Sequence, residues 1–307
     1  MQPRPASELR HVSIAPLDRL SAGLTWPLVL AVLCGALLHA GWNVLVKSGQ
    51  DKAADIALLH VMAAGVALPL ALWAGLPRVD SWPFIGLSLC IHIAYYSALA
   101  GAYQHGELGI TYPIMRGLAP LLVALGSAAL IGEVPTTAAW LGIVGVTLGV
   151  ALVGLAHPGQ ALHHHKALAY AFANALIIAA YTVVDALGAR ASGSSLSYVL
   201  WLSVVGGLPY PLLVWWRRGH LGQPALVAYA RQRWGRATVG GGASIGSYAI
   251  ALWAMTQAPV ASVAALRETS VLFAALLGTL LLNERFGLQR ALGTLVVVAG
   301  VMALRAG

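Results

Sequence analysis

Ten runs of apolar residues, each near the ~20 positions an α-helix needs to cross a bilayer, alternate with short polar connections along this chain. They cover residues 26–46, 54–75, 82–104, 109–131, 137–156, 167–189, 195–216, 236–257, 260–282 and 287–305. The pattern predicts an all-α membrane protein of ten transmembrane helices. Composition agrees: 59% of the 307 residues are hydrophobic and 9% are charged, against roughly 25% charged in soluble domains. The first 25 residues are polar and hold Arg4, Arg10 and Arg19. They are expected to form a tail rather than a signal peptide, with the first apolar run kept as a mature helix.

Polar residues that interrupt the apolar runs carry the next level of information. Arg116 and Arg267 sit inside apolar segments, and a cation there costs several kcal/mol, roughly 2.5–3.5 on insertion scales. The two lie 151 positions apart in segments that align without a gap. At the same offset Ala100 pairs with Ala251, Leu121 with Leu272, Glu133 with Glu284, Gly142 with Gly293 and Gly149 with Gly300. The opening helices match more loosely, with Trp42 near Tyr181 and the difference assigned to an insertion in the Arg217–Arg236 connection. The organisation expected is a tail (1–25), a first five-helix repeat (26–156), a connecting loop (157–166) and a second five-helix repeat (167–305). An odd number of spans per repeat inverts the second half, which is a hallmark of secondary transporters with a solute site where the halves meet. The two arginines then bracket a central cavity.

Charge refines this picture without changing it. The formal +8 is spread over short loops, where Lys and Arg set topology, so no nucleic-acid partner is expected. Counting places six Lys and Arg on the face of the termini and ten on the other. That favours termini outside, though half of the ten lie in one loop. Cys34 and Cys90 fall within spans and read as small buried hydrophobes. No cofactor or metal is expected; His163, His164 and His165 are consecutive, and successive residues seldom converge on one ion.

A transporter of amino acids needs a cation for the carboxylate, and the fork of Arg suits it. Arg116 and Arg267 fill that role, the alternative being that each caps carbonyls or snorkels. Glu268 and Asp185 are the carboxylates well inside spans, candidates to carry a proton or hold an ammonium. Asp185 lies near a helix end, where water is expected. A direct Arg267–Glu268 pair is not expected, since adjacent residues do not face each other on a helix. His92 is a candidate proton relay and opens a stripe with Tyr96 and Tyr103 on one face. Trp42, Asn43, Tyr112, Tyr181, Tyr248 and Trp253 complete an expected aromatic wall suited to both apolar and polar parts of a solute. Gly145 and Gly149 permit close helix packing, within the chain or in a weak dimer.

The ten-span, five-plus-five pattern resembles the drug/metabolite transporter superfamily, and within it the EamA-type exporters. The residues carrying the resemblance are His39-Ala40-Gly41-Trp42-Asn43 with Lys47, Gly106 through Pro113 and Arg116, and Gly132-Glu133 echoed by Asn283-Glu284-Arg285. The resemblance implies a basket of helices around a cavity, alternating access, no bound cofactor and a place in a bacterial inner membrane. It includes YddG-like exporters of aromatic and other amino acids, and its members often have cytoplasmic termini, opposite to the charge count. The function expected is export of amino acids or related metabolites. Export of drugs or of sugar-linked or phosphonate-like anions is the alternative. A membrane-embedded enzyme is disfavoured, for no nucleophile elbow, metal motif or ATP-binding loop is present.

Overall fold

A computed structural model describes residues 24–47, 49–105, 108–154, 165–282 and 287–307 of the chain. Among them there is helix and no strand. The helices are α1 (Trp26–Lys47), α2 (Lys52–Ala74), α3 (Trp82–His105), α4 (Leu108–Ile131), α5 (Thr137–Gly154), α6 (His165–Ala191), α7 (Ser195–Gly206), α8 (Pro209–Met255), α9 (Val260–Arg267), α10 (Ser270–Leu282) and α11 (Leu288–Ala306). Eight segments among the described residues are long and apolar enough to span a membrane. The third and eighth expected spans are α3 and the C-terminal arm of α8. The expected tail up to residue 23 and most of the connecting loop, including His163 and His164, lie outside the described residues.

Three departures from the sequence pattern shape the interior. The span expected at 195–216 is interrupted after Gly206, where α7 gives way to α8. The span at 260–282 breaks after Arg267. There the amides of Glu268 and Thr269 donate to the carbonyls of Ala265 and Leu266, three residues back. The Arg217–Arg236 connection, expected as a loop, is helical: α8 runs through it with one non-helical residue, Gly219 at φ 59°. Arginine-rich sequence with scattered glycine looks like a loop, but here acidic partners order it. Asp51, the N-cap of α2, pairs with Arg218, while Asp55 accepts from Arg233 Nε at 2.6 Å and from the Tyr229 hydroxyl at 2.9 Å.

The inversion of the repeats is visible in helix packing. Helices α5 and α11, the fifth spans of the two halves, cross at glycines. A Cβ on Gly142 would lie 2.7 Å from the Gly300 carbonyl oxygen, and one on Gly149 would lie 2.8 Å from that of Gly293. Later positions of α5 thus meet earlier positions of α11, so equivalent helices run antiparallel. The 151-residue offset exchanges these contacts with one another. The same exchange relates α3 packed on α6 to the α8 arm packed on α1, and α4 on α6 to α9 and α10 on α1. Gly145 faces Gly300, so the Gly-x-x-x-Gly pair is used inside the chain. Gly241 similarly lets α8 close on α2, its missing Cβ lying 2.8 Å from the Ala63 amide.

Candidate functional site

Where the halves meet, α4, α6 and α9 enclose a small cavity lined by Arg116, Pro120, Tyr181, Thr182, Arg267 and Glu268 among others. It measures about 250 Å³ counted to its mouth, with only water-sized room at the centre. Both repeat-related arginines therefore border one space. Arg116 is buried and its Nε lies 3.0 Å from Glu268 Oε2, so Glu268 pairs with the arginine of the opposite half and not with its neighbour Arg267. The Arg267 guanidinium instead lies over the Tyr248 ring, 5.4 Å from its centroid, a cation–π arrangement.

Behind Tyr248 is a second polar centre. Asp185 is fully buried rather than water-facing as its sequence position suggested, because α6 continues to Ala191 and three helices cover it. Its Oδ1 accepts the Tyr198 hydroxyl at 2.9 Å and its Oδ2 accepts the Tyr248 hydroxyl. Gly188 makes this possible: the Tyr198 ring lies against it, 2.4 Å from where a Cβ would stand. A continuous path thus runs from Asp185 through Tyr248 to Arg267 and the cavity.

His92 borders the same centre from α3. Its Nδ1 lies 2.8 Å from the Ser88 carbonyl oxygen, to which it donates. Its ring stacks on Tyr181 at 4.6 Å between centroids, and Tyr181 lines the cavity. His60 repeats the motif, with Nδ1 2.8 Å from the Ile56 carbonyl oxygen and Nε2 accepting the Tyr96 hydroxyl at 2.5 Å. Tyr96 therefore faces His60 and Tyr210, one step removed from the arginines. In α1, the Asn43 amide donates to the His39 carbonyl at 2.7 Å, and Trp42 meets the His39 ring edge-on. Trp253 is 42% exposed and does not line the cavity. The side chains of Tyr103 and Tyr112 lie outside the described residues.

One assembly was not legible in the sequence. Glu133 follows Gly132, whose φ of 72° turns the chain out of α4, and the Glu133 amide donates to Ser127. Folded back this way, Glu133 Oε1 meets Arg190 of α6 at 2.5 Å, while Oε2 accepts the first amide of α9, Val260, at 2.8 Å. Arg190 also donates to the carbonyl oxygen of Met255 at 2.8 Å. The repeat flagged Glu133, but nothing in the pattern marked Arg190 as its partner. At one end of the cavity helices this latch ties the first half to the second.

The model of the EamA-like transporter family matches residues 26–155 and 165–306, that is, both repeats. No curated protein matches the chain. A solved structure titled "Crystal structure of protein" is similar in fold, with 20% sequence identity and a TM-score of 0.67, over 90% of this chain and 98% of that one. The chain belongs to the EamA-like transporter family: it is an integral, multi-pass membrane transporter of small molecules.

Proposed function

We propose that this EamA-like transporter exports amino acids, aromatic and other apolar ones foremost, by alternating access through the cavity between its repeats. The observation that carries this reading is the convergence of Arg116 and Arg267 on one cavity. Two guanidinium groups border the space, with a single carboxylate, Glu268, for counter-charge, so the site favours a solute bearing a carboxylate. Tyr181 and Tyr248 provide the surface for an apolar side chain. Glu268 in the cavity, and Asp185 and His92 linked to it through those tyrosines, are the groups that carry a proton. The Glu133–Arg190 latch closes one end, and the break after Arg267 lets α9 move relative to α10. We place the protein in a bacterial inner membrane as a monomer or weak dimer without a cofactor. Small sugar-linked or phosphonate-like anions are the second reading, since two cations serve them as well.

Uptake of radiolabelled L-phenylalanine and L-leucine into proteoliposomes, competed by unlabelled compounds, tests the assignment. Competition by phenylacetate but not by phenethylamine is expected. Failure of any amino acid to be taken up or to compete, in vesicles that hold a gradient, transfers the assignment to phosphonate-like anions.

A further inference from the structure

We infer that Glu268 is the protein's own stand-in for a bound anion. Ionised, it occupies Arg116; protonated, it releases Arg116 to an incoming carboxylate, so that binding of a proton and binding of an anion at the cavity are coupled. The inference rests on the cavity between α4, α6 and α9 being the solute site.

The repeat itself argues that the acid is there for a purpose other than packing. Position 151 residues earlier is Gly117, which follows Arg116 as Glu268 follows Arg267. A Cβ at Gly117 would face the Thr147 carbonyl oxygen at 3.5 Å, so the first half closes against α5 without an acid. The second half adds one and directs it across the interface to Arg116, at 3.0 Å with both side chains nearly enclosed. An Arg–carboxylate contact is the one a solute carboxylate would make. Within the closed cavity it is made internally.

Charge fixes the sign of the coupling. With Glu268 ionised, the two arginines and the acid leave one positive charge at the cavity; protonating Glu268 leaves two. An anion therefore binds more readily when the proton is bound. Glu268 also sits at the break between α9 and α10, so exchanging its carboxylate for that of a solute unties α4 from the turn that joins the two helix pieces. Among the described residues, the ionisable groups around it are Arg116 of α4, Arg267 of α9, His39 of α1, Tyr181 and Asp185 of α6 and Tyr248 of α8. His92 of α3 is stacked behind Tyr181. Helices α5 and α10 carry no ionisable side chain, and α11 has Arg290 and Arg305 near its two ends.

The test reads the electrostatics of the cavity without presuming a cargo. Thr182→Cys places a thiol in the cavity wall after the native cysteines are replaced by Cys34→Ala and Cys90→Ala. The rate of its modification by anionic 2-sulfonatoethyl methanethiosulfonate is divided by that for the cationic trimethylammonium analogue, which cancels thiolate reactivity. The ratio should fall as pH rises from about 4, where a carboxyl begins to ionise, to about 8. Glu268→Gln should raise it roughly tenfold or more at the higher pH and flatten the profile, as loss of a unit charge within a few ångströms requires. Glu268→Asp should lie between, and the double variant Arg116→Gln/Glu268→Gln reports on folding without a broken pair. A ratio unchanged by Glu268→Gln, or one that rises with pH in the unmutated site, overturns the inference. Should Glu268→Gln not fold, the profile of Glu268→Asp against that of the unmutated site decides. Protection of the introduced thiol by L-phenylalanine tests the cargo separately. Expected ratios without protection retain the inference and remove the amino acid, whereas protection with an unchanged ratio does the reverse.

Discussion

Replacing Glu133 with Gln keeps the size of the side chain and removes its charge, and the structure sets what that costs. Glu133 joins three pieces of chain: α4, whose end it follows, Arg190 of α6 at 2.5 Å and the Val260 amide of α9 at 2.8 Å. Both side chains are less than a tenth exposed, so solvent screening is slight. Removing one partner of a buried pair costs about 3–5 kcal/mol. Gln still accepts one hydrogen bond, and Arg190 keeps the Met255 carbonyl, which reduces the loss to about 2–3 kcal/mol. The expected fall in Tm of the purified protein is roughly 4–8 °C. A double-mutant cycle with Arg190→Gln should show a coupling energy of about 1.5 kcal/mol or more. A coupling near zero, with each single variant as stable as the parent, would refute the latch as a link between the halves.

Three further outcomes follow from the packing and the ion pairs. Gly300→Ala places a Cβ 2.7 Å from the Val146 amide and 2.9 Å from the Gly142 carbonyl oxygen; neither backbone atom can give way, so a loss of about 1–3 kcal/mol is expected in thermal unfolding. Gly86→Ala in α3 meets nothing within 4 Å and should be neutral or slightly stabilising in the same measurement. The Asp51 carboxyl lies below its ordinary range: partial burial opposes this, but the Ala54 amide and Arg218 outweigh it. Its contribution is therefore present above about pH 4 and lost as pH falls further through its folded value. Hydrogen exchange of the Arg217–Arg236 segment should accordingly match that of Asp51→Asn only under acid conditions.

The number of spans and the inversion were readable because apolar length and the Arg and Glu matches at one offset are strong local signals. Interruptions within spans were not. The break after Arg267 falls at Glu268-Thr269-Ser270, where the unbroken counterpart after Arg116 reads Gly117-Leu118-Ala119; three polar residues do not by themselves end a helix, and the tertiary pairing of Glu268 with the other half is not visible in the pattern. The helix through Arg217–Arg236 was hidden for a similar reason, since its order comes from Asp51 and Asp55 on a distant segment. Among the candidate residues, Arg116, Arg267, Tyr181 and Glu268 converge on the cavity, and Tyr248 bridges it to Asp185. Trp253 has the composition of a cavity residue but the wrong helical phase, a distinction that pattern alone did not make. Tyr198 gave no signal; only Gly188, one turn beyond Asp185, could have hinted that a ring packs there.

The most direct test of the central claim is counterflow of radiolabelled L-phenylalanine in proteoliposomes carrying the parent, Arg116→Gln or Arg267→Gln. Robust exchange by the parent and its loss in either variant, with both variants folded, is the predicted result. Exchange undiminished in both would contradict the account and return the two arginines to a purely structural role.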